Sequence, residues 1–201
     1  MTPPCKVAAA ADHTDGEVTM ATMREELERY FDENGFGPDG GYNDKWVKVK
    51  VGPIPLAIPN SPARKRAVPF HDLHHILTGY RTDWVGEAEI AAWELASGCK
   101  DMIAAWVLNL YAFGMKLPFS PDRVFRAFIR GRQSRNLYDQ RLETLLDQPA
   151  DEVRALMGTA GAPAPPSGKD RLLFTLYSTV ALTFVYGPLC LLGWLVWRGL
   201  G

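Results

Sequence analysis

The chain has 201 residues, 47% of them hydrophobic, and its 22 basic and 23 acidic side chains leave a net charge of -1. That suits one globular domain of ordinary size with appendages, and a near-neutral balance excludes nucleic acid as the main partner. Cys5, Cys99 and Cys190 are odd in number and widely spaced, so they offer neither a disulfide framework nor a CxxC site, and a reducing compartment fits.

Residues 1–22 are small, polar and Ala-rich with Asp12, Asp15 and Glu17 interspersed, and read as a disordered N-terminal segment. They lack the apolar core of a secretory signal and the arginines of a mitochondrial transit peptide, which makes a prokaryotic setting the simpler reading. A helical domain is predicted over 23–157. It opens with MREELERYF, Met23 to Phe31, where Leu27, Tyr30 and Phe31 give a partial apolar face before Asn34-Gly35-Phe36-Gly37-Pro38 breaks it. From Trp46 to Val51, valines alternate with Lys48 and Lys50, as in a short strand or an extended arm. Pro53, Pro55, Pro59 and Pro62 then predict an extended Pro-rich arm as far as Arg64-Lys65-Arg66, wrapping the helical body.

The arm delivers the chain to HDLHHILTGYRTDWVGEAEIAAWE, His71 to Glu94, which holds three of the four histidines. At about 100° per residue, His71 and His75 lie roughly 40° apart on a helix, with Asp72 on the flank of the same face and His74 to the far side. An i, i+4 histidine pair lets one rigid turn supply two ligands to Zn, Fe, Mn or Co. Gly79 should stop this helix and Asp83 should cap the next, so that a short turn makes a hairpin and brings Glu87 back across from His75. Glu94, two turns beyond Glu87, is a ligand, a supporting partner behind the ligands or a solvated charge. His74 reads as supporting or structural.

Met102 to Met115 carries no charge and only Asn109 is clearly polar. At fourteen residues it is too short to span a bilayer, so a buried core helix is expected, with an interfacial or lipid-lining role as the alternative. Ser120 should cap a helix carrying Arg123, Arg126, Arg130, Arg132 and Arg135. Most of these read as solvated, with Arg130 and Arg132 as candidates for a substrate carboxylate or anionic head group. Leu142 to Met157 predicts a polar helix interrupted near Pro149, and 158–169 a flexible Ala/Pro/Gly linker. Leu172 to Trp197 then runs twenty-six residues without a charge between Arg171 and Arg198. A transmembrane anchor over 170–199 follows, since about 20 residues suffice. Lys169, Arg171 and the earlier arginines outweigh Arg198, which places the globular domain in the cytoplasm. The fold class expected is mostly α: a compact helical domain with a metal-binding hairpin, an extended arm before it and a C-terminal transmembrane helix after it.

His71-Asp72, two residues, His75, eleven residues and Glu87 match the HDxxH-x11-E signature of the ubiquinone (coenzyme Q) biosynthesis protein family Coq-four. The text around it, HxLTGYxTDWVGE, also resembles that family. The likeness runs from about Tyr42 to about Leu156, ending in DQPADEVRAL. It implies a divalent metal on His71, Asp72, His75 and Glu87, with His74, Asp83 and Glu94 as candidates for supporting roles. It also implies a part in ubiquinone biosynthesis, by oxidative decarboxylation of a polyprenylated benzoate-derived ring, carboxyl to hydroxyl. The partners implied are a prenylated quinone precursor, other ubiquinone-biosynthesis proteins and the membrane, and a homo-oligomer is compatible with them. The membrane span departs from the family, whose members associate peripherally. It implies a prokaryotic inner (cytoplasmic) membrane with a single C-terminal pass.

The alternative from another class is a non-catalytic scaffold or lipid-binding protein that gathers the quinone enzymes around a structural metal. Hydrolases fit less well. A zinc peptidase wants Glu where Asp72 stands, and an HD-type phosphohydrolase needs further His and Asp ligands, when the remaining histidine is His13 in the N-terminal segment.

Overall fold

A computed structural model describes residues 20–51, 54–159, 161 and 163–200. The described chain is mostly helical, with eight helices and one two-stranded hairpin. The disorder expected for 1–19 lies outside these residues. From Ala21 the chain is already tied down, because Ala21 accepts a backbone hydrogen bond from Ala150 and Met23 donates one to Gln148, each 2.9 Å.

Helix α1, Met23–Asn34, begins with a capping box in which Thr22 and Glu25 satisfy each other's backbone N–H groups. It buries Met23, Leu27 and Phe31 and stops at Gly35, in the left-handed region at φ 66°. Strand β1, Trp46–Val51, is the predicted strand. Its partner was not anticipated. Ile54–Pro59 forms β2, antiparallel to β1 in the register Trp46 with Pro59 and Val51 with Ile54, so the Pro-rich arm turns back on itself. Nor does the arm reach Arg64-Lys65-Arg66. Ser61 caps and Pro62 starts helix α2, Pro62–Thr78, because proline in the first turn lacks only an N–H that the helix leaves unused. Asn60 fastens this junction by donating to the carbonyls of Gly41, Tyr42 and Asp44.

Gly79, at φ 75°, ends α2 as expected, and Asp83 caps helix α3, Trp84–Ser97, by accepting from the N–H groups of Val85 and Gly86. Helix α3 is the central element: Ile90, Ala91, Ala92, Trp93, Glu94 and Leu95 are all buried. Helices α4, Ile103–Lys116, and α5, Pro121–Arg132, flank it. A Cβ at Gly131 of α5 would collide with the Trp93 backbone, so glycine is what lets α5 approach α3 this closely. Ser120 makes no side-chain cap, contrary to expectation; Pro121 at the first helical position and the Ser120 carbonyl, which accepts from Val124 N–H, start α5 instead. The predicted break near Pro149 separates α6, Leu142–Leu146, from α7, Ala150–Met157.

One expectation about the apolar segments needs correction. Helix α4 is not buried all round: Ala105, Asn109, Phe113 and Gly114 face inward, while Ile103, Val107, Leu108 and Tyr111 form an exposed apolar stripe. Two described residues of the predicted linker, Thr159 and Ala164, are held by α5 and the residue after it. The side chain of Gln133 brackets Ala164, accepting from its N–H at 2.6 Å and donating to its carbonyl at 3.0 Å, and Arg130 donates to the Thr159 carbonyl. Helix α8, Gly168–Leu200, is long and apolar enough to cross a membrane. Its first half nevertheless lies along the body. Phe174 packs edge-on to Phe113, Phe125 and Phe128, Tyr177 stacks on Trp106, and Ala181 and Val185 are buried against Gly114.

Candidate metal centre

Helix α2 runs antiparallel to α3 across the predicted hairpin. His71 and His75 therefore stand one turn apart, facing Glu87 near the start of α3. One ligand atom from each of His71, His75 and Glu87 lies within 4.8 Å of the others, and this group could hold a metal ion. The Nε2 atoms of the two histidines are 3.2 Å apart, and each is 3.5 Å from a Glu87 oxygen. Ligands about 2.0–2.1 Å from one ion at tetrahedral to octahedral angles sit roughly 3.0–3.4 Å from one another, so the spacing fits a shared cation.

The other ring nitrogens decide which atoms are free to ligate. His75 Nδ1 lies 2.9 Å from the Tyr80 carbonyl oxygen, which can only accept, so the proton is on Nδ1. His71 Nδ1 donates to Glu94 at 3.0 Å. With Nδ1 committed to donation in both rings, each turns Nε2 toward the same point, where a cation would displace the proton that the facing carboxylates favour on His71. Tyr30 stacks on the His75 ring at 6.1 Å, and a cleft of about 640 Å³ between α1 and the α2–α3 turn reaches His75 past Tyr30, with Arg29, Arg81 and Asp83 on its walls.

Glu94 is fully buried, which disposes of the solvated reading. It is not in the converging group but directly behind it. One carboxylate oxygen accepts from His71 and, at 2.7 Å, from His74 Nδ1; the other accepts from the Tyr138 hydroxyl at 2.7 Å and from Asn109. Burial alone would raise the Glu94 carboxyl, but the charge favoured on His71 and the hydrogen bonds that His71 and His74 donate hold it well below the usual range. Burial would likewise raise Glu87, and the imidazoles of His71 and His75 bring it down to about 2. For His71, burial disfavours the cation, yet the carboxylates of Glu94 and Glu87 outweigh it and push its pKa well up. Both carboxylates therefore reach the site ionised.

His74 takes the supporting role read for it. Its Nε2 accepts from the backbone N–H of Leu137 at 2.9 Å, so Nδ1 carries the proton given to Glu94, and burial keeps the ring neutral. Asp72 stands apart from the three converging residues: its carboxylate accepts from the Tyr42 hydroxyl at 2.6 Å, and burial raises its pKa against the pull of His71 and that hydrogen bond. Asp83 is spent on capping α3 and pairing with Arg81.

The structure does not bring Arg130 and Arg132 to the metal group. Arg130 donates to the carbonyls of Thr78 and Thr159 and covers the Tyr80 ring, and Arg132 pairs with Asp170 at the start of α8. Both guanidiniums are consumed in tying α5 to its neighbours. Conversely, Asn109, Tyr138 and Tyr42 were not anticipated. The one signal for them was Asn109, the lone clearly polar residue in an apolar run. The chain matches no protein-family model, no curated protein and no solved structure.

Proposed function

We propose that this chain is a metal-dependent enzyme of ubiquinone biosynthesis, a membrane-anchored relative of the Coq-four family, that replaces a ring carboxyl by hydroxyl on a polyprenylated benzoate-derived intermediate. The observation that carries the metal part is the convergence of two Nε2 atoms and the Glu87 carboxylate on one point. The signature they belong to carries the rest. In this reading His71, His75 and Glu87 hold the ion, and Asp72 joins them if its carboxylate turns from Tyr42. A bound Fe, Mn or Co would act as Lewis acid toward the substrate's carboxylate and phenolate oxygens and handle dioxygen as the oxidant; Zn would supply only the first.

The protein's own residues orient that chemistry. Glu94 holds the His71 ring and the Tyr80 carbonyl holds the His75 ring, fixing where their Nε2 atoms point. Tyr30 shields His75 on the side of the cleft. Glu87, with 40% of its side chain exposed, leaves the group open on one side, which favours a working site over a closed structural one. The apolar helix α8 keeps the domain at the cytoplasmic face of the inner membrane, where a polyprenylated substrate resides.

The test is metal analysis of the detergent-purified protein beside His75→Ala and Glu87→Ala, with folding checked by circular dichroism. The expected result is about one redox-capable ion per wild-type chain and none in the folded variants. Metal-loaded protein that binds a prenylated hydroxybenzoate under oxygen and never releases its carboxyl group as carbon dioxide would defeat the catalytic reading and leave the scaffold.

A further inference from the structure

Helices α4 and α8 lie side by side in the same direction: Trp106 stacks on Tyr177, Gly114 meets Ala181 and Val185, and the Tyr186 hydroxyl reaches the Met115 carbonyl at 3.4 Å. Helix α4 ends at Lys116, whose ammonium sits over the rings of Trp84 and Phe119, so the start of α3 shares that end of the body. From there α8 projects alone, and Leu189, Leu191, Leu192, Leu195 and Val196 are exposed. The charge-free part of this projection, from 187 to 197, is about 16 Å long at 1.5 Å per residue. A hydrocarbon layer is about 30 Å thick and takes about 20 residues.

The charge-free run is Leu172 to Trp197, and every 20-residue window inside it contains Ser178 to Tyr186, the stretch packed on α4. The body cannot follow those residues into lipid. Its end beside Lys116 carries the exposed charges of Arg81, Asp83 and Arg123, which would sit deep in hydrocarbon. Docking along α4 and crossing the bilayer thus exclude each other over Ser178–Tyr186.

We infer that α8 has two placements, docked on α4 and α5 as seen here and released from α4 over Ser178–Tyr186 when it crosses the membrane, so that the face it uncovers turns to the bilayer. The partner is a lipid surface. The uncovered face holds Phe113 and Gly114 and adjoins the exposed stripe of Val107, Leu108 and Tyr111, one apolar surface continuous with the exposed end of α8. Gly114 serves the docked state: a Cβ there would come 2.7 Å from the Ala181 carbonyl oxygen. This inference rests on the membrane-anchor reading, and the experiment separates the two.

The full chain, in a Cys5→Ser, Cys190→Ser background, carries Met115→Cys with Tyr186→Cys for a short bis-maleimide cross-link. Single Thr183→Cys and Leu192→Cys versions carry spin labels for immersion depth, in detergent and in phosphatidylcholine/phosphatidylglycerol vesicles. The expected result is a cross-link yield at least about fivefold lower in vesicles than in detergent, with both labels at hydrocarbon depth. An undiminished cross-link in vesicles overturns the inference. If Leu192 is immersed while Thr183 stays in water and the cross-link persists, the inference falls and the membrane contact stands. Neither label at depth sinks the anchor reading and the inference with it.

Discussion

A carboxylate as deeply buried as Glu94 survives ionised only because four donors meet it: His71, His74, Asn109 and Tyr138. Removing it strands all four. Glu94→Ala should cost on the order of 3–5 kcal/mol in urea unfolding, the range for breaking a buried charged network. It should also weaken metal retention even where folding is rescued at low temperature, because His71 loses the partner that fixes its ring. His74→Phe should separate support from ligation. It loses one bond to Glu94 and leaves the Leu137 N–H unpaired, for roughly 1–3 kcal/mol, while metal stoichiometry stays at the wild-type value. A drop in metal content in the folded His74→Phe protein would put His74 among the ligands. The converging trio was legible in the sequence because helical geometry alone places i and i+4 together and a short turn returns Glu87. Asn109 and Tyr138 were not, since they arrive from elements far along the chain and nothing local marks where their side chains end.

The helices and their stops were readable for local reasons: Gly79 needs the left-handed region that ends α2, and Asp83 offers the oxygen that starts α3. The β hairpin was half readable, because alternation marks β1 while prolines disguise β2 as an arm. Helix α4 misled because hydropathy reports which residues are apolar, not which neighbour covers them. The crossing of α5 over α3 was invisible, since a lone glycine inside an arginine-rich helix says nothing about what approaches it. That crossing is testable at the element it governs. Gly131→Ala places a methyl against the Trp93 backbone, and since backbone cannot move aside as a side chain can, the variant should lose about 1–3 kcal/mol by thermal or urea unfolding. A variant as stable as wild type would mean that the two helices have room to separate.

At the scale of the whole molecule, the last helix is both appendage and wall. Its exposed length reads as membrane material, yet Phe174 closes an aromatic cluster with Phe113, Phe125 and Phe128, and Ala181 belongs to the buried core. An independent anchor on a flexible tether would leave a finished domain behind when cut away. This one would not. A chain ending at Ser167 exposes the α4–α5 face that α8 now covers, beside the stripe of Ile103, Val107, Leu108 and Tyr111 that is already bare. Contiguous apolar area of that kind drives association. The truncated protein should therefore elute from size exclusion as aggregates or higher oligomers, even though α1–α3 and the histidine pair are untouched, and anionic vesicles should recover it by covering the same face. A monodisperse, vesicle-indifferent monomer would show instead that the body closes without α8, and that the aromatic contacts seen here add little to its core.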